Sequence, residues 1–231
     1  MKNAGKVFLV CTAMVCLPAW ASDVSVGRAT VQQLDDSWQV KSVEDKGVIV
    51  GGSAGGKMDS ETKIFIKVSA KNELLGLLAV KATSSGLDMT NARMVYTPKC
   101  DSNADSFAQG NTGNNERYLE CMRVLKPFGS ESLLKNFIPQ AVNVLKEEKI
   151  SLPKSLRAVR TQYSNGNGSN ATVIALLAPN FAGTSGEFTE ALPAGIDAQM
   201  VLWAQSLQKA TKGSVMSFSG KLVIPPIEFK N

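Results

Sequence analysis

The sequence predicts an α+β fold, with a mainly antiparallel sheet and two principal amphipathic helices in the C-terminal half, all in a single domain over residues 22–231. Three observations carry this expectation. Short segments in the first half alternate apolar and polar residues at period two. Two segments in the second half switch to a helical period. Strand patterns sit next to strand patterns instead of alternating regularly with helices. No Pro/Ser-rich or charged linker divides the chain, and no repeat of roughly 20–50 residues recurs along it.

The first 21 residues read as a cleaved secretory signal peptide. Lys2 and Lys6 form a basic start, Val7 to Leu17 an apolar run, and Pro18-Ala19-Trp20-Ala21 a small-residue end. The run of about 11 residues is too short for the roughly 20 that a spanning helix needs, and Ala19-x-Ala21 suits cleavage before Ser22. Cys11 and Cys16 follow Val10 and Val15 where a lipidation site needs a small residue, so no lipid anchor is expected. The expected location is periplasmic or secreted, with no stable membrane insertion after cleavage.

In the remaining chain, Val24 to Val31, Trp38 to Val43 and Lys63 to Ser69 read as half-buried strands. Asp45-Lys46-Gly47 is a suitable turn between Trp38 to Val43 and Val48-Ile49-Val50. Leu74 to Thr83, whose apolar stretch is interrupted by Gly76 and ends at Lys81, fits either a buried strand or a short helix. Ala92 to Thr97 and Tyr118 to Leu125 are expected as a strand pair around a polar excursion. Glu131 to Glu148 has helical spacing, with Ser130 as an N-cap and Pro139 placed to kink or split it. Leu156 to Tyr163 and Ala171 to Ala178 flank Ser164-Asn165-Gly166-Asn167-Gly168 as a hairpin. Ala194 to Lys212 is the clearest helix, with Ile196, Met200, Trp203, Leu207 and Ala210 on one face and Gly213 placed to end it, and Val215 to Ile227 follows as a strand.

Composition excludes several chemistries. The 231 residues are 44% hydrophobic and 19% charged, enough to bury a core, and contain no His. That removes Ser-His-Asp and Cys-His enzymes and most zinc sites. Without Lys2 and Lys6, 23 basic against 20 acidic residues leave a charge of +3. The basic residues are scattered, so no nucleic-acid partner is expected. Beyond the leader only Cys100 and Cys121 remain. In an oxidising compartment they are expected to form one disulfide, because two thiols without His cannot complete a metal site and neither sits in a Cys-x-x-Cys motif.

Four motifs suggest chemistry. Gly51-Gly52-Ser53-Ala54-Gly55-Gly56-Lys57 begins like a phosphate-binding loop but continues with Met58 and a strand, where Ser or Thr and a helix are needed. Ser-x-x-Lys, which resembles the nucleophile motif of penicillin-binding proteins and serine β-lactamases, occurs at Ser60/Lys63, Ser132/Lys135, Ser151/Lys154 and Ser206/Lys209. With 22 Ser and 19 Lys, about two such spacings arise by chance, and no Lys-Thr-Gly follows; Ser132 and Lys135 are the best placed because they open a helix. Asp101-x-Asn103-x-Asp105 offers oxygen ligands at the spacing of a calcium loop, but Ser106 replaces the turn Gly and Thr112 the bidentate Glu. Asn167-Gly-Ser169 and Asn170-Ala-Thr172 are formal glycosylation sequons.

The sequence therefore points first to a non-enzymatic binding protein of the envelope or secreted fraction, with no cofactor, whose partner is a protein or an envelope ligand. Asp101 to Glu120, Gly51 to Lys57 and Pro179 to Pro193 are the expected working loops. The alternatives are a His-free hydrolase using Ser/Lys or paired carboxylates, and a calcium-stabilised binding module.

Overall fold

The longest strands, of nine to eleven residues, are apolar on one face or on both. The computed structural model describes residues 23–32, 34–43, 48–50, 56–84, 100, 105–111, 117–182 and 194–227. Among these, the chain runs as β1 (Val24–Val26), β2 (Ala29–Gln32), β3 (Gln39–Val43), β4 (Val48–Val50), β5 (Gly56–Met58), β6 (Ser60–Val68) and β7 (Leu74–Thr83). It continues with β8 (Asp105–Gly110), β9 (Tyr118–Leu125), β10 (Phe128–Gly129), α1 (Ser130–Phe137), α2 (Pro139–Glu147), β11 (Ser155–Asn165), β12 (Asn170–Leu177), a short 3-10 helix (Pro179–Ala182), α3 (Ala194–Met216) and β13 (Lys221–Val223). This is the expected α+β class.

The main sheet has the order β3-β6-β7-β12-β11-β9-β8, with β10 pairing to β11, and every pairing is antiparallel. One face carries α3 and a small sheet in which β2 pairs antiparallel with β1 and parallel with β13. The other face carries α1 and α2. The strand β7 lies between these layers. Leu78, Val80 and Ala82 join the core under α3, while Leu77 and Ala79 join the core under α1 and α2. Burial on both faces explains its apolar run and resolves its ambiguity in favour of a strand.

Several expectations need correction. Val24 to Val31 is not one strand but a hairpin, because Gly27 takes a φ of +53° between the paired residues Val26 and Ala29. A Gly at the first of two turn positions is the requirement of a tight turn whose twist matches the strands. The strand at Trp38 to Val43 pairs with β6, and β4 pairs with β5, so neither forms the expected hairpin with the other; the turn residues 45–47 lie outside the described residues. Residues 92–97 also lie outside them. Among the described residues β9 pairs with β11 on one side and on the other with β8, from within the polar excursion.

Pro139 splits the expected helix and becomes the first residue of α2, preceded by Ile138 at φ −144°. The ring leaves no amide to donate and disfavours helical geometry in the residue before it. Ser130 is not the cap of α1: Gly129 is, and the buried Ser130 hydroxyl donates to the Pro153 carbonyl. Gly213 does not end α3. The buried Thr211 hydroxyl meets that of Thr161 at 2.8 Å, and the Ser214 hydroxyl is bonded to the Thr211 carbonyl, so tertiary contact carries the helix to Met216. Anchoring offsets the roughly 1 kcal/mol that an interior glycine costs. The reversal falls instead at Gly220, φ +61°, and only Lys221–Val223 of the expected last strand is extended in a sheet.

Candidate functional site

The disulfide joins Cys100 to Cys121 of β9, with Sγ atoms 2.05 Å and Cα atoms 5.4 Å apart. It encloses β8, so the segment from Asp101 to Glu120 is not simply a loop. Gly110 ends β8 opposite Cys121, and a Cβ there would press on the Glu120 carbonyl and come within 2.9 Å of Cys100 Sγ. Asn111 continues the pairing with its side chain: Nδ2 donates to the Tyr118 carbonyl at 2.8 Å, and Oδ1 accepts from the Glu120 amide at 2.8 Å.

The face of this hairpin lies against α3. Gln205, Gln208, Lys209 and Lys212 fall at helical positions i, i+3, i+4 and i+7, which makes one polar stripe beside the buried Met200, Trp203, Ala204 and Leu207. Tyr118, Glu120 and Met122 alternate along β9 and present one strand face to that stripe. Together with Gln109, these elements enclose a groove of about 500 Å³. This lies in the range of about 300–1,000 Å³ typical of small-molecule sites.

Its electrostatics are nearly balanced. Glu120 Oε2 lies 2.7 Å from Lys212 Nζ, and this hydrogen bond is the main reason the lysine holds its proton above the ordinary lysine range. The ammonium also sits 5.4 Å from the centre of the Tyr163 ring, and Tyr163 stacks on Tyr118 with centroids 6.1 Å apart at 26°. Burial raises the Tyr163 phenol above its usual value, with the charge of Lys212 opposing. Gln205 Nε2 donates to Gln109 Oε1 at 3.3 Å across the groove. Gln208, only 8% exposed, donates from Nε2 to the Gln162 carbonyl at 3.2 Å, while its buried Oε1 has no hydrogen-bond partner. A buried acceptor without a partner is uncommon and costs about 1–3 kcal/mol.

The residues singled out from sequence fare differently. Lys135 is exposed and paired with Glu131 at 3.3 Å, whereas Ser132 accepts from Asn136 Nδ2 at 3.3 Å. These two side chains are not brought together as a nucleophile and a desolvated base. Ser60 and Lys63 are three apart on β6 and therefore face opposite sides of the sheet. Lys57 lies on β5 and not at a helix start, contrary to what a phosphate-binding loop needs. Of the calcium candidates, Asp101 and Asn103 lie outside the described residues, and Asp105 enters β8 by pairing with Leu125. Among the described residues no cluster of three or more His, Cys, Asp or Glu could hold a metal, and no helix is long and apolar enough to cross a membrane.

Two other concavities are less suited to a specific ligand. One, of about 200 Å³, lies at the end of α3 beside Arg28, Thr83 and the exposed Met216 and Phe218. The other, of about 300 Å³, lies over Trp38 and Phe181, whose rings are already capped by Lys67 at 5.8 and 5.5 Å. Asp35 holds that lysine at 3.2 Å. No protein-family model, curated protein or solved structure matches this chain.

Proposed function

We propose that the protein is an exported, non-enzymatic binding protein and that the groove between β8–β9 and α3 is its ligand site. The observation that carries this reading is the groove itself. A strand face and a helix stripe enclose about 500 Å³ lined by side-chain amides, one of which, Gln208, keeps a buried acceptor without a partner. Export is supported by the leader pattern and by the Cys100–Cys121 bond, since such bonds persist in oxidising compartments. Binding is favoured over hydrolysis because Glu120 is the carboxylate that lines the groove, and Lys212 engages it. A glycosidase needs two carboxyl groups facing each other, and a Ser/Lys hydrolase needs a desolvated lysine at the hydroxyl.

The test is a thermal-shift and NMR screen of the oxidised protein against small molecules extracted from envelope and culture fluid. A ligand at about 100 times its Kd stabilises the folded state by about 2.7 kcal/mol. Its chemical-shift changes should centre on Gln109, Gln205 and Gln208, and Gln205→Ala should weaken them. Hits that map elsewhere, or hydrolytic turnover of a screened compound, would refute the proposal.

A further inference from the structure

Resting on the binding reading of this groove, we infer that its ligand is an acidic saccharide, with a sugar ring against Tyr118 and an anionic group toward Lys209. The side chains of the groove have the hydrogen-bonding capacity of a saccharide site. Gln205 and Gln208 offer amides, which donate and accept at one group, as sugar hydroxyls do. After their own contacts, Gln205 Oε1 is left as an acceptor and Gln109 Nε2 as a donor, while Gln208 Oε1 stays buried in the wall without a partner. A phosphate-rich ligand or a metal would call for a cluster of like charges, whereas Lys212 is committed to Glu120.

One wall of the groove is aromatic. Tyr118 is 39% exposed and is braced from behind by Tyr163, which gives a fixed flat surface at the groove. Aromatic rings combine a large apolar face with a polar tip, which matches the C–H face and hydroxyl rim of a pyranose. The place suits a saccharide better than an extended peptide. A peptide added to a sheet takes its bonds from the open edge of the outermost strand, which here is β8, whereas the groove lies over the sheet face, between β8, β9 and α3. What faces the groove is side chains. The acidic requirement comes from Lys209, exposed on the same stripe beyond the Glu120–Lys212 pair, which leaves the groove with one positive charge in excess.

Titration of the oxidised, ¹⁵N-labelled full protein with an oligogalacturonate, a neutral chito-oligosaccharide and a short acidic peptide tests this. The oligogalacturonate should shift the side-chain amides of Gln109, Gln205 and Gln208. Tyr118→Ala should weaken it about tenfold while Tyr118→Phe does not. Lys209→Ala should weaken it about threefold, abolish its advantage over the neutral sugar and remove its salt dependence. Equal affinity for both sugars would overturn the acidic assignment. Silence of both sugars would overturn the saccharide class. Groove shifts with the peptide would then leave the site standing, whereas silence of all three, with no effect of Gln205→Ala in the extract screen, would remove the groove as well.

Discussion

Cutting the bond between Cys100 and Cys121 tests both the stability argument and the integrity of the groove. The cysteines are 21 positions apart, so the cross-link closes a loop of that order in the unfolded chain. The chain-entropy relation gives about 3 kcal/mol for a loop of this size. Both cysteines are buried, so Cys100→Ala/Cys121→Ala is a cleaner perturbation than serine, which would bury two hydroxyls. With a urea slope of about 2 kcal/mol/M, the midpoint should fall by about 1.5 M. The slope should also rise, because an uncrosslinked denatured chain exposes more surface. Hydrogen exchange should show the loss concentrated at β8, where the amides of Gln109 and Gly110 border the groove. A midpoint shift under about 0.3 M, with an unchanged slope, would refute the entropic account and the idea that the bond secures this hairpin.

Three further outcomes are expected. Gly27→Ala should destabilise by at least about 1–2 kcal/mol in urea melts, because φ is +53° and a Cβ would press on the Ala82 and Thr83 carbonyls; an unchanged midpoint would contradict the turn assignment. Lys135→Ala should move stability by less than about 0.5 kcal/mol and leave ligand binding unchanged, since the Glu131–Lys135 pair is largely exposed. Stability should also fall on the alkaline side. Lys212 has a raised folded pKa, so its contribution is complete below the unfolded value of roughly 10.4 and is lost as pH rises through the folded value. Tyr163, also raised, keeps its proton longer when folded and adds a loss of the same sign from roughly pH 10 upward. Melts from pH 9 to 12 should therefore show a slope that Lys212→Met and Tyr163→Phe each flatten, and a parallel slope in both variants would refute the linkage.

What could be read from the sequence was whatever local pattern and tertiary burial agreed upon. The β11–β12 hairpin matches because Gly168 takes a positive φ in a turn-rich linker between two largely buried strands, and the apolar face of α3 matches because Met200, Trp203 and Leu207 are buried as their spacing implies. The hairpin at Gly27 was hidden because each half of Val24 to Val31 alternates, and only a change of phase, from Val24 and Val26 to Ala29 and Val31, marks the two-residue turn. The strand β8 was hidden for the opposite reason. Asp105–Gly110 has weak strand propensity and holds its place through pairing with β9, a register shift between Asp105 and Phe107, and Phe107 packing on the core.

The groove was the least legible feature, and its illegibility follows from the physics of helices. Gln205, Gln208, Lys209 and Lys212 have the spacing of any solvated helical face, and nothing local distinguishes a stripe facing water from one facing a strand. The distinction is made by partners far away in sequence. Glu120 reaches Lys212 across 92 residues and Gln109 reaches Gln205 across 96, while the Gln162 carbonyl fixes which end of the Gln208 amide is left over. A polar helix stripe gains a binding role only when the fold sets a second polar surface opposite it at a ligand's width. Here that surface is the β8–β9 hairpin, tied to α3 by the Glu120–Lys212 and Gln109–Gln205 contacts.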